Sequence, residues 1–203
     1  MRITVLATAA ALALMTVSAH ATAITFEGYA PNGSLILVPP DYTESGYTLS
    51  YFAADGGSND KAAVFGASSA GMIGDSTATL AWNTSDGSSV TLTGPASFDL
   101  ISVDLGGYAG APGNQHTNIT LTGYLLVGGS QTITFSNLLS ETTENVNWTG
   151  LQSVVFTGTY YGAMDNIVTA SSSGSAPEPG TMLLVGAGTG ALVLFRRRKA
   201  PRN

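Results

Sequence analysis

Short runs of alternating apolar and polar residues recur along the middle of this chain. In Asn118–Leu125, Ile119, Leu121 and Leu125 fall on one face and Thr120, Thr122 and Tyr124 on the other. Gln131–Phe135 repeats the pattern, and Thr77–Trp82 sets Ala78, Leu80 and Trp82 together. A period of two is that of a strand with one buried face, so Trp82 and Phe135 are expected in a core. Val90–Thr93 follows Thr77–Trp82 across a segment holding Asp86-Gly87, a favoured hairpin pair, and the two runs are expected to face each other across that turn. Further strands are expected at Ile24–Gly28, Leu35–Val38, Tyr47–Phe52, Phe98–Leu105, Leu151–Thr157 and Ala163–Thr169. No internal stretch sustains a helical period, and Gly, Asn, Asp, Ser and Pro separate the segments. About ten short strands in one body, residues 24–170, predict an all-β fold, an antiparallel β-sandwich.

The two ends break this pattern. Met1-Arg2 precedes an apolar run from Ile3 to Val17, followed by Ser18-Ala19-His20-Ala21-Thr22-Ala23. A positive start, a short apolar stretch and small residues at a cleavage site predict a secretory signal peptide over residues 1–23, cut by signal peptidase after Ala21 or Ala23. At the other end, a Ser/Gly linker (residues 171–176) leads to Pro177-Glu178-Pro179, an apolar run from Met182 to Phe195, and Arg196-Arg197-Arg198-Lys199. As a helix the run would reach about 21 Å at 1.5 Å per residue. The bilayer core is roughly 30 Å thick, so this is a short single transmembrane helix that needs thinning or snorkelling arginines. The basic cluster is expected to stay cytoplasmic, placing the body outside.

Charge narrows the choice of partners. From Thr22 to Ala170, Lys61 stands alone against twelve acidic residues, a net charge of about −11. Such a surface repels phosphate backbones, which excludes nucleic acid. The chain has no cysteine, which excludes disulfides, thiolate metal sites and cysteine nucleophiles.

Pro177-Glu178-Pro179, the glycine-containing apolar run and the terminal arginine cluster together resemble the PEP-CTERM sorting signal of exported proteins from exopolysaccharide-producing Gram-negative bacteria. The resemblance covers residues 176–203. It implies processing by an exosortase-type enzyme near Pro177–Thr181, loss of the helix after transient inner-membrane anchoring, and delivery to the cell surface or a biofilm matrix. The same tail is also catalogued as an ice-binding-protein C-terminal segment, a name that concerns the tail and not the body.

The body carries a second resemblance. Ile24-Thr25-Phe26-Glu27-Gly28 opens it, Ser97–Val103 and Trp148–Gly158 lie within it, and Gly162–Val168 closes it. This order resembles the jelly-roll domains of PEP-CTERM proteins, which are similar in outline to carbohydrate-binding modules. The resemblance implies a candidate structural Ca²⁺ held between the first and last strands by Glu27 and Asp165.

Candidate chemistry is sparse. His116 is the one histidine left after signal cleavage, and no G-x-S-x-G elbow accompanies it, so it reads as a solvated loop residue. No spacing marks a glycosidase carboxylate pair, and Glu141 and Glu144 read as a polar loop. Asp55-Gly56-Gly57-Ser58-Asn59-Asp60 is an Asx-rich turn that lacks a full calcium-loop pattern. Tyr42, Tyr47, Tyr51, Tyr108, Trp148, Tyr160 and Tyr161 lie in or near expected loops, where rings can stack on sugars. Tyr108, Tyr160 and Tyr161 are the candidate glycan contacts. The expectation is a non-catalytic exported β-sandwich that is structural or binds neutral polysaccharide. The alternatives are a polysaccharide-acting hydrolase and an ice-binding or adhesin-type surface protein, the last drawing on threonine pairs such as Thr91/Thr93 and Thr120/Thr122.

Overall fold

Gly94–Ser97 interrupts the longest strand of this protein, and that interruption organises the sheet. The structure, a computed structural model, describes residues 21–54, 62–68, 77–83, 87–107 and 116–172. Eleven strands and no helix occur among them: β1 (Ala21–Ile24), β2 (Leu35–Leu37), β3 (Asp41–Glu44), β4 (Tyr47–Phe52), β5 (Ala63–Phe65), β6 (Thr79–Asn83), β7 (Ser89–Gly107), β8 (Thr117–Leu125), β9 (Ser130–Leu138), β10 (Thr142–Gly158) and β11 (Tyr161–Ser171). Every pairing is antiparallel.

Between Leu151↔Phe98 and Ser153↔Thr93 the β7–β10 register skips Gly94–Ser97, with Pro95 at a position that donates nothing to the ladder. The first arm of β7, Ser89–Thr93, pairs with β4 and with the end of β10. The second arm, Phe98–Gly107, pairs with β11 and with the start of β10. Two further register shifts in β10 flank Trp148; Asn147 and Gly150 there adopt φ of 54° and 69°. Such bulges bend strands. The eleven strands form one hydrogen-bonded sheet in the order β2-β5-β6-β11-β7-β10-β8-β9, with β4 also paired to the first arm of β7, β3 to β4 and β1 to β11.

The periodicity is well expressed in this sheet. Ile119 and Leu121 are fully buried while Asn118 and Tyr124 are exposed. The main core draws Leu49, Leu92, Ile119 and Val154 from β4, β7, β8 and β10 and Val64, Leu80, Leu105 and Met164 from β5, β6, β7 and β11, and a smaller cluster gathers Ala63, Phe65, Ala81 and Ala163. Trp82 is buried in the main core and Phe135 packs against it, as their alternation predicts. Glu44 fastens the N-terminal segment to β3, its carboxylate accepting hydrogen bonds from the Thr25 and Phe26 amides (3.1 and 3.0 Å) and the Tyr42 hydroxyl (2.7 Å).

Two expectations are corrected. Thr77–Trp82 and Val90–Thr93 do not pair as a hairpin: β6 pairs with β5 and β11, so β11 lies between β6 and β7. A local turn signal is outweighed by a partner about eighty residues further on. The segment around Glu144 is not a loop: β10 begins at Thr142, and Glu144 sits opposite Val103. The signal segment before Ala21, the apolar run from Met182 to Phe195 and the transmembrane helix expected there lie outside the described residues.

Candidate functional site: a polar cleft at the strand ends

The start of β8, the end of β9 and the turn from β10 to β11 meet around an open cleft of about 520 Å³ lined by His116, Asn118, Asn137, Gly158, Thr159 and Tyr160. Hydrogen bonds between these elements set its walls. The Asn137 amide donates to Asn118 Oδ1 (2.8 Å) and the Asn118 amide donates to Thr159 Oγ1 (3.1 Å). The Thr159 amide donates in turn to the Asn118 carbonyl (3.0 Å), and the Thr117 hydroxyl donates to the Thr159 carbonyl. His116 Nδ1 lies 3.0 Å from the Asn137 carbonyl. A carbonyl only accepts, so Nδ1 is the donor in this contact.

Two of the cleft residues hold left-handed backbone, Asn137 at φ 64° and Tyr160 at φ 60°. Asn tolerates that region, but a bulky aromatic residue rarely adopts it. Tyr160 does so while half exposed, which presents a ring at the cleft rim. The cleft thus offers an aromatic face, two amide side chains, a hydroxyl and an imidazole. Among its described lining there is no carboxylate.

Of the three candidate glycan contacts, the structure places Tyr160 in this cleft. Tyr161 is exposed at the start of β11 opposite Asn83 and is not among the lining residues. Tyr108 lies outside the described residues, as do the Asp55–Asp60 loop, Pro177, Glu178, Pro179, Arg196, Arg197, Arg198 and Lys199. Tyr42 and Tyr47 are not loop aromatics: both are buried, stacked edge-on or tilted against Tyr29, Phe26 and Phe98. Trp148 is half-buried in β10, where a Cβ added at Gly123 would come within 2.7 Å of its ring. His116 is exposed as expected, but it is tied into the cleft wall. Asn118, Asn137 and Thr159 escape sequence reasoning because the cleft is assembled from three separate strand ends.

Glu27 and Asp165 do approach one point of the fold. The Thr77 hydroxyl donates to Asp165 Oδ2 at 2.6 Å and the Ala78 amide donates to Glu27 Oε1 at 2.9 Å. Asp165 is fully buried and Glu27 exposed. No cluster of three or more His, Cys, Asp or Glu side chains suited to a metal occurs among the described residues. Ca²⁺ takes six to eight oxygens, so an ion held by these two carboxylates would need backbone carbonyls and water to complete its shell.

A family model described as the PEP-CTERM protein-sorting motif matches residues 175–199. No curated protein matches the chain. Among solved structures, the crystal structure of the enzymatically active domain of bacteriophage CBA120 tailspike protein 4 is similar at 11% identity and a TM-score of 0.34. The match covers 62% of this chain but 19% of that one, so the chain spans about a fifth of that structure's length, and a superposition so loose carries no argument. The tail beyond the body is decisive: the chain is a PEP-CTERM domain-containing protein, exported by a Gram-negative bacterium and sorted by exosortase.

Proposed function

We propose that this protein is a non-catalytic component of the cell surface or exopolysaccharide matrix. In this reading its body is a jelly-roll-like β-sandwich that contacts neutral carbohydrate through the cleft at Tyr160. Signal peptidase and exosortase remove the two ends, and the C-terminal apolar run anchors the protein in the inner membrane only until then. The observation that carries the reading is Tyr160 itself, a half-exposed aromatic residue held in left-handed backbone at the rim of a cleft walled by amides and a hydroxyl. Sugar rings present C–H groups to an aromatic face and hydroxyls to amides, and the cleft supplies both kinds of partner. The net charge of the body favours a neutral or cationic polymer over an anionic one. The described lining supplies amides, a hydroxyl and an imidazole, groups that bind sugar hydroxyls. A structural Ca²⁺ at Glu27 and Asp165 belongs to the same proposal.

A glycan array with the mature protein tests the reading. Binding is expected in the millimolar-to-micromolar range, about −4 to −8 kcal/mol, since an open site keeps much of its water. Tyr160→Ala and Asn118→Ala are each expected to weaken it about tenfold or more, roughly one net hydrogen bond or ring contact each. Failure of the wild-type protein to bind any neutral glycan would leave an architectural role, and turnover of a bound glycan would move the protein to the hydrolases.

A further inference from the structure

The cleft opens onto one end of a broad sheet face whose outward residues are mostly hydroxyl-bearing. Along β8, Asn118, Thr120, Thr122 and Tyr124 point outward, because Thr117, Ile119, Leu121 and Gly123 are buried. Asn118 belongs to the cleft and Tyr124 is exposed at the far end of the strand, about 20 Å away at 3.4 Å per residue. Registers carry the pattern sideways. Thr132, Thr122, Val155, Thr91, Ser50 and Asp41 stand in one row across β9, β8, β10, β7, β4 and β3. One step along the strands, Tyr124, Ser153, Thr93, Thr48 and Thr43 make the next row. Columns and rows therefore repeat at about 4.8 Å and 6.7 Å over a width near 24 Å.

Two properties set this face apart from an ordinary solvated strand surface. Its hydroxyls are coupled across strands: Thr120 Oγ1 to Thr134 Oγ1 at 2.8 Å, Thr122 to Thr132 and Thr43 to Thr48 at 3.5 Å, and Ser50 Oγ donating to Asp41 Oδ1 at 2.6 Å. Each Thr–Thr pair spends one donor and leaves acceptor lone pairs and a second hydroxyl proton for a ligand, and the Ser50–Asp41 pair leaves acceptor lone pairs. In both rows, Asp41 at the outermost strand is the sole charged residue, in a body with a net charge of about −11. Exposed protein surface is normally about a quarter to a third charged.

We infer that this face is an extended docking platform for a neutral linear polysaccharide, continuous with the cleft and laid along β8 from Tyr160 and Asn118 to Tyr124. The inference rests on the carbohydrate reading of the cleft and adds to it the length and course of the ligand. Aromatic rings at both ends, Tyr160 and Tyr124, each half exposed, bracket a hydroxyl track long enough for several sugar units. A face whose two rows carry charge only at Asp41, on the edge strand, imposes little desolvation penalty for charge on a neutral polyol. It also admits alternate registers, as a repeating polymer requires. The interruptions at Val155 and Tyr124 break the lattice that a crystalline ice surface would match.

The test uses the mature protein with cello-, laminari-, manno- and chito-oligosaccharides of two to six units, measured by titration calorimetry. For whichever series binds, affinity is expected to rise about ten- to a hundredfold from disaccharide to hexasaccharide, the increment of about two added hydrogen bonds. Thr122→Lys and Thr132→Lys, opposite each other on β8 and β9, are expected to abolish that rise while leaving disaccharide affinity and melting temperature unchanged. Should either lysine variant unfold, Thr122→Val and Thr132→Val carry the same expectation. Affinity that is already complete at the disaccharide, or a length-dependent rise that survives in the variants, overturns the platform and leaves the cleft standing. Absence of binding to every oligosaccharide overturns cleft and platform together. Thermal hysteresis that the lysine variants remove, without saccharide binding, assigns the face to ice and overturns the proposal.

Discussion

Glu27 and Asp165, separated by most of the body in sequence, hold consecutive residues of the same strand entry: Asp165 takes the Thr77 hydroxyl and Glu27 the Ala78 amide. The carboxylate of Asp165 is fully buried there, which is costly unless donors or a cation compensate it. Asp165→Ala is expected to destabilise the fold by about 1–3 kcal/mol, because Thr77 loses its acceptor. If the two carboxylates share Ca²⁺, chelation with EDTA lowers the melting temperature of the wild type and leaves that of Asp165→Ala unmoved. Coincident wild-type curves with and without EDTA retire the ion.

The pairing of β1 predicts which of the two expected signal-cleavage sites is used. Thr22, Ala23 and Ile24 lie opposite Thr169, Val168 and Ile167, and the Thr169 hydroxyl reaches the Thr22 carbonyl at 3.3 Å. A cut after Ala21 keeps all three residues, whereas a cut after Ala23 leaves Ile24 alone. Intact-mass measurement of the mature protein is expected to show Thr22 at the N-terminus and an end within Pro177–Thr181. A recombinant body starting at Ile24 should be less stable than one starting at Thr22 by about 1–2 kcal/mol, one or two net hydrogen bonds. A native mass starting at Ile24 would count against the role given to β1.

What the sequence disclosed, and what it hid, follows from how local each signal is. β8 and β9 were legible because one face of each meets solvent, so alternation survives in Ile119, Leu121, Thr120 and Thr122. The first half of β10 was not, since Thr142, Thr143, Glu144 and Asn145 read as loop. Their strand geometry comes from β7, about forty residues earlier. Asp86-Gly87 suggested a hairpin that β11 displaces. Tyr160 was legible as an aromatic residue near a turn, but its partners Asn118, Asn137 and Thr159 are joined only by tertiary pairing. The clue that could have pointed to Asn137 is weak: Asn is among the few residues that accept left-handed backbone.

Trp82 and Gly162 face each other across β6 and β11. A Cβ at Gly162 would lie 2.8 Å from Trp82 Cζ2, so Gly162→Ala forces the ring to move and is expected to cost about 1–3 kcal/mol. Trp82→Ala empties the same space and should cost about 3–5 kcal/mol. The indole Nε1 is buried without a hydrogen-bond partner, so Trp82→Phe is expected to cost much less than Trp82→Ala. Urea denaturation of the three variants checks the order. Equal losses for Phe and Ala would mean that the indole makes a polar contact that outweighs ring packing.

Tyr42 gives the fold an alkaline limit. Burial pushes its phenol above the ordinary value near 10, and the adjacent Glu44 carboxylate, which accepts its hydrogen bond, pushes it the same way. The unfolded phenol ionises near pH 10 and the folded one higher. Its stabilising contribution is therefore complete below about pH 10 and is lost as pH rises through the folded value. Denaturation at pH 8 and pH 11 should show a larger loss for the wild type than for Tyr42→Phe, which has no proton to lose. An identical loss in both would place the alkaline limit in other groups.

Tyr160 sets stability against binding. Its φ of 60° is a backbone state that costs a side-chain-bearing residue about 1–2 kcal/mol and glycine almost nothing. Such strain persists where surrounding structure over-determines it, and here the Thr159 amide and carbonyl are both tied to β8 by hydrogen bonds to the Asn118 carbonyl and the Thr117 hydroxyl. Tyr160→Gly is expected to exceed the stability of Tyr160→Ala by about 1 kcal/mol, since alanine keeps the strain and glycine relieves it. Both variants remove the ring and should lose carbohydrate affinity equally. Melting temperatures and titrations on the same three proteins separate the two effects. If glycine proves no more stable than alanine, the left-handed turn is not strained. If both variants bind as the wild type does, the ring at the cleft rim is not the contact, and the amides of Asn118 and Asn137 must carry the affinity alone.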